Sequence, residues 1–155
     1  MRKFVVATIS FGFMLLVLSV SSSQACTDAG SIVSVKNTKV GNFEYVTFMI
    51  KKPLNSDYGY AVTTATGSFT EEPSGNPVTI TGPKYKKIRF EGITWMCTIA
   101  ETFSLPKIAI KAIKKIEQHE GIVVYVVGYR NVSTYLSTTS SNVGSFRKVV
   151  MKFKK

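Results

Sequence analysis

The sequence predicts an all-β protein. Three features carry the expectation: apolar and polar residues alternate with a period of two, glycine and proline clusters separate the alternating runs, and the run between Gly121 and Gly128 is wholly β-branched or aromatic. Residues 31–35 and 43–50 read as the first two strands, with Gly41-Asn42 as the turn of a hairpin. Residues 53–57 interrupt the pattern and residues 58–66 resume it in extended form. Pro73-Ser74-Gly75-Asn76-Pro77 marks a turn, followed by strands at 78–81 and 85–90 that Gly82-Pro83 divides. In the second of these, Ile88 and Phe90 share one face and Lys87 and Arg89 the other, as in a sheet with one face in a core and one in water.

Residues 106–117 are ambiguous. Ile110, Ile113 and Ile116 recur at helical spacing and Pro106 suits a first helical turn. Ile108 and Ile110 also alternate with Lys107 and Lys111 as a strand would, with a bulge near Ala112 returning Ile113 to register. Periodicity leaves both readings open. Residues 121–128 are expected to form a central strand buried on both faces, residues 131–142 a polar loop, and residues 146–153 the last strand, with Phe146, Val149, Met151 and Phe153 in the core.

Composition sets the outer bounds. The 155 residues are 45% hydrophobic and 19% charged, which excludes a disordered tail, a collagen-like repeat and a cysteine-stapled miniprotein. One His and two Cys are too few soft ligands for a zinc, haem or iron-sulfur site, and no cofactor is expected. Residues 1–25 combine Arg2 and Lys3, an apolar stretch and a small-residue exit ending in Ala25, which together make a secretory signal peptide; a retained membrane anchor is the alternative. The rest, residues 26–155, reads as one domain that is secreted or periplasmic. Removing Arg2, Lys3 and no acid leaves 18 basic and nine acidic side chains, a formal +9. An exported basic chain suits anionic polymers or lipid head groups better than nucleic acid, and the plain alternative is a lysine-rich surface that binds nothing.

Cys26 and Cys97 are the two cysteines, and an even count in an exported chain reads as one disulfide. The rival reading makes Cys26 the lipidated first residue of a bacterial lipoprotein, tethered to a membrane. Ser23 stands where leucine is usual three residues before a lipidated cysteine.

A family resemblance adds to this. Asp57-Tyr58-Gly59-Tyr60, the run from Ser74 to Gly82 (Ser-Gly-Asn-Pro-Val-Thr-Ile-Thr-Gly), the run from Ile113 through Glu120-Gly121 to Tyr125 and Gly128, and Phe146-Arg147 occur in an order that resembles the AMIN-like domain family. That family is related to the module preceding the catalytic domain of bacterial cell-wall amidases. The similarity spans roughly residues 43–153. It implies a β-sandwich of two small, mainly antiparallel sheets, favours a strand over 108–117, and implies a noncatalytic domain that associates with the cell wall. The C-terminus departs from the family pattern, with a basic run from Gly144 to Lys155 in place of a Pro-x-Arg segment, an apolar strand and an acid.

The side-chain chemistry also points away from an enzyme. His119 is the single imidazole and sits before Glu120-Gly121, where a turn is expected, so a nucleophile-His-acid device has poor material. Glu120 could be a general acid, with Glu117 and Glu101 as nominal second carboxylates for a glycosidase. The expected function is a noncatalytic envelope binding module for peptidoglycan or another anionic wall glycan. The alternative is a secreted protein-interaction or inhibitor domain gripping an envelope protein by a sheet edge or loops. Candidate ligand residues are Trp95, Tyr125, Tyr129, Arg130, Arg147 and Lys148, with Tyr129 and Arg130 at the mouth of the polar loop as the leading pair.

Overall fold

The computed structural model describes residues 24–155. The expected signal segment, residues 1–25, lies outside the described residues except for Gln24 and Ala25. Eleven strands and no helix are present among the described residues. They are β1 (Ile32–Val40), β2 (Phe43–Lys51), β3 (Gly59–Ala65), β4 (Phe69–Glu71), β5 (Asn76–Val78), β6 (Lys84–Glu91), β7 (Ala100–Thr102), β8 (Ile110–His119), β9 (Ile122–Tyr129), β10 (Thr134–Val143) and β11 (Phe146–Lys154). A five-stranded sheet, in the order β10-β11-β2-β1-β7, faces a four-stranded sheet, β3-β6-β9-β8. Phe48 of β2 meets Phe90 of β6 and Tyr125 of β9 at ring-centroid distances of 4.9 and 5.3 Å, and Tyr129 meets Phe153 at 5.3 Å, so the two inner faces share one aromatic core. The fold is the expected all-β sandwich.

Turn chemistry sets the hairpins. Gly41 (φ 57) joins β1 to β2 and Gly144 (φ 55) joins β10 to β11, each the first of two turn residues, the position at which a type II′ turn needs positive φ. Glu120 (φ 47) and Gly121 (φ 79) are both left-handed, as a type I′ turn demands, and connect β8 to β9. The ambiguous segment is therefore a strand. It carries bulges between Ile110 and Ala112 and between Lys115 and Glu117, which keep Ile110 and Ile113 in the core despite their odd spacing.

The central strand β9 is buried on both faces, as expected. Val123, Tyr125, Val127 and Tyr129 enter the sandwich core, while Val124 and Val126 lie buried on the other side. The β4-β5 hairpin roofs that outer side. Phe69 packs edge-on against Tyr85, the Glu72 amide donates to the Ile116 carbonyl, and the Tyr85 hydroxyl donates to the Ile80 carbonyl. Where this segment crosses β9, a Cβ on Gly128 would stand 2.3 Å from the Thr81 oxygen, so only glycine allows the two backbones to meet.

Three expectations need correction. The Ser- and Thr-rich stretch read as a polar loop over 131–142 is mostly β10, an edge strand polar on both sides and so without a hydrophobic period. Phe146 points outward beneath Lys51 instead of into the core; Val149, Met151 and Phe153 are buried as expected. The strand expected at 78–81 is the shorter β5, which ends at Val78, because the following residues make the crossing over Gly128.

Two inward polar residues hold the chain where it passes from one sheet to the other. Glu44 of β2 is fully buried, and its carboxylate oxygens accept from the Ile108 amide at 2.5 Å and the Ile110 amide at 2.6 Å. Asn37 of β1 pairs with the Ser104 backbone, accepting from its amide at 2.9 Å. Cys26 and Cys97 form the expected disulfide, which engages the Cys26 sulfur that lipidation would need.

Candidate functional site

The six candidate residues do not converge. Tyr125 is fully buried, its hydroxyl donating to Glu101 of β7, and it has no ring face for a ligand. Burial drives its pKa well above the ordinary tyrosine value, and the Glu101 carboxylate adds to this. Tyr129 is 6% exposed and packs on Phe153, which removes it as a stacking platform. The expectation of an exposed aromatic beside Arg130 is thus overturned, because β9 runs through the core to its last residue. Arg130 itself ties the β9 end to the stretch before β8, its amide donating to the Ala109 carbonyl and its guanidinium to that of Lys107. Trp95 lies in a different place, its ring centroid 5.3 Å from that of His119 with the planes tilted by 43°.

Trp95 belongs to the wall of a surface cleft of about 430 Å³ between the β4-β5 hairpin, β8 and the loop before β7. Glu71, Glu72 and Glu117 line it with Lys115 and Gln118. The Gln118 amide donates to the carbonyls of Trp95 and Cys97 while its oxygen accepts from Lys115, which makes that side chain a strut. Glu117 lies 3.6 Å from Arg89. No cluster among the described residues could hold a metal ion.

Lys148 leads to a more coherent surface. Inward positions of β11 are Val149, Met151 and Phe153, so Phe146, Lys148, Val150, Lys152 and Lys154 point outward. The register then places Lys51 beside Phe146, Met49 beside Lys148, Thr47 beside Val150 and Tyr45 beside Lys152. Lys36 and Thr38 of β1 continue the rows of Thr47 and Tyr45. No outward position on β1, β2, β10 or β11 carries a carboxylate. Glu44, the one acid in these four strands, points into the core.

On this face the ammonium groups sit on aromatic rings. Lys152 lies 4.2 Å from the Phe43 centroid and 5.9 Å from that of Tyr45, and Lys51 lies 5.2 Å from Phe146. A groove of about 370 Å³ runs between Lys36, Thr38, Thr47, Met49, Val143 and Lys148. Strand geometry puts Lys148 and Lys152 about 13 Å apart along β11 and Lys36, two strands across in the row of Val150, about 12 Å from each. That spacing suits a polymer with repeated anions better than a single small ion. Of the sequence candidates only Lys148 lies on this face; Lys36, Lys51 and Lys152 were not singled out.

Comparison of the chain with protein-family models, with curated proteins and with solved structures found no match.

Proposed function

We propose that the protein is an exported, noncatalytic envelope module of AMIN-like type that binds peptidoglycan or another anionic wall glycan through the outer face of its five-stranded sheet. The observation that carries this reading is the carboxylate-free face itself, on which lysines, aromatic rings and hydroxyls share one sheet surface. Ammonium groups meet carboxylates or phosphates, the exposed parts of Tyr45 and Phe43 contact sugar faces, and Thr38 and the β10 hydroxyls supply hydrogen bonds. The disulfide fits an oxidising compartment outside the cytoplasm. The test is sedimentation with isolated sacculi, with and without teichoic acids, across a salt series. Binding by the parent chain and an apparent affinity at least tenfold lower for the triple variant Lys36→Gln, Lys148→Gln, Lys152→Gln would support the reading. Equal sedimentation of parent and variant, or none at any salt concentration, would overturn it; binding that vanishes entirely as salt rises would reduce it to nonspecific charge.

A further inference from the structure

The sandwich has four edge strands, and three observations separate β10 from the rest. Edge strands invite pairing unless something blocks them. β7 is three residues long, and β8 is broken by two bulges, carries Lys111, Lys114 and Lys115, and is bridged at Glu117 by Glu72. β10 has ten residues with neither charge nor proline, and its single bulge, near Leu136, leaves 137–143 regular. Because a two-residue turn closes its hairpin, Val143 and Phe146 are a hydrogen-bonded pair, and so are Ser141 with Lys148 and Thr139 with Val150. The amides and carbonyls of Thr138, Ser140 and Asn142 consequently point away from β11, and β10 has no second partner strand among the described residues.

The second observation is electrostatic. Arg147 on the inward side of β11 and Lys148 and Lys152 on its outward side flank the β10 ribbon, and none of the three has a carboxylate within 4.0 Å among the described residues. On the remaining edge, β3, the neighbouring strand β6 has its arginine neutralised, with Arg89 facing Glu91 and Glu117, while Lys84 and Lys86 donate to the Ser133 carbonyl and the Thr64 hydroxyl. The third is an unfilled need: Arg147 Nε and the Tyr58 hydroxyl are both buried and both without a hydrogen-bond partner. They are near enough for the guanidinium to favour ionisation of Tyr58. Tyr58 immediately precedes β3, so this pair lies on the flank where β10 and β3 are the two sheet edges.

We propose that β10 receives an extended acidic peptide of a partner protein as a sixth strand of the five-stranded sheet. Backbone groups of Thr138, Ser140 and Asn142 pair with the peptide, an inward carboxylate meets Arg147 and Tyr58, and outward carboxylates meet Lys148 and Lys152. A second copy of this chain is the poorer occupant, since self-pairing would bring two cationic β11 strands to about 14 Å from each other with no acid between them.

The probe is a fluorescein-labelled nine-residue peptide, Val-Val-Glu-Glu-Val-Val-Glu-Glu-Val, whose glutamates fall on both faces of an extended strand, titrated with the purified protein and read by anisotropy, beside a counterpart with glutamine for glutamate. The glutamate peptide should bind at least tenfold more tightly than the glutamine one. Ser140→Pro removes an amide that faces the open edge and no bond to β11, and should weaken binding at least tenfold; Arg147→Gln should weaken it severalfold. Hydrogen exchange gives a readout independent of any variant, with the amides of Thr138, Ser140 and Asn142 slowing at least tenfold at saturating peptide. Absence of binding, absence of that protection, or undiminished binding by a folded Ser140→Pro chain would overturn the proposal. Micromolar self-association that Ser140→Pro abolishes would assign the edge to a second copy instead.

Discussion

Replacing Glu44 tests whether a buried carboxylate holds the passage between the two sheets. Its oxygens accept from Ile108 and Ile110 amides, and Ile110 is wholly buried, so water cannot take the place of that acceptor. A hydrogen bond to a charged group contributes about 1.5–3 kcal/mol, and an amide left buried without a partner costs about 1–3 kcal/mol. Glu44→Gln retains one acceptor but turns an NH2 toward the other amide, for an expected loss of about 2–4 kcal/mol. Glu44→Ala removes both acceptors and opens a void, for about 3–5 kcal/mol. Urea unfolding followed through Trp95, the single tryptophan, measures both. With a slope of about 2 kcal/mol/M, the midpoint should fall by about 1–2 M for Gln and by more for Ala. If both variants unfold within about 0.5 M of the parent, the carboxylate does not clamp this segment, and the favourable bonds are matched by the desolvation of the charge.

Alkaline pH should destabilise the fold through its tyrosines. Burial pushes Tyr58 up to about 12, against the opposing pull of Arg147, and raises Tyr125 and Tyr129 as well. An unfolded chain releases these protons near pH 10 while the folded one retains them, so stability should fall as pH climbs above 10, and a Tyr125→Phe chain should show a shallower fall of melting temperature between pH 9 and 11. Gly128→Ala should cost about 1–3 kcal/mol or displace the roofing hairpin, seen as a lower melting temperature with faster exchange of the Glu72 amide. Replacing Cys26 and Cys97 together by Ala should remove up to about 4 kcal/mol, because a bridge spanning 71 residues restricts the unfolded chain strongly; thiol labelling of the native parent should find neither sulfur free.

Local chemistry was legible where one face alone had to be satisfied. Ile88 and Phe90 announced their face by alternation, Gly41-Asn42 and Glu120-Gly121 announced their turns, and the β-branched run of β9 announced burial on both sides. The same run concealed the fate of its tyrosines. With apolar residues at every position, nothing distinguished Tyr125 and Tyr129 from exposed stacking groups, though both share the parity of Val123 and Val127. The faces of β2 were not legible: Phe43 and Tyr45 point out and Glu44 points in, because residues 108–110 supply amides that only the tertiary fold brings to the acid. Lys36, Lys148 and Lys152 become neighbours through the registers of β1, β2 and β11, including the irregularity between Ile32 and Ser34. Spacing along the chain carries no trace of such an alignment.

The bridge to Cys97 has a practical meaning for how the molecule can be attached to anything else. Ala25 pairs with Thr98 and the Cys26 amide donates to the Thr98 carbonyl, so the chain enters the domain alongside β7. β7 and β10 are the opposite borders of the same five-stranded sheet. A linker, affinity tag or surface anchor joined ahead of Gln24 therefore departs from the flank farthest from β10, and leaves the basic plane and its open border unobstructed. Immobilisation through that end presents every copy in one usable orientation, whereas random coupling through lysines would modify the very groups expected to meet the wall.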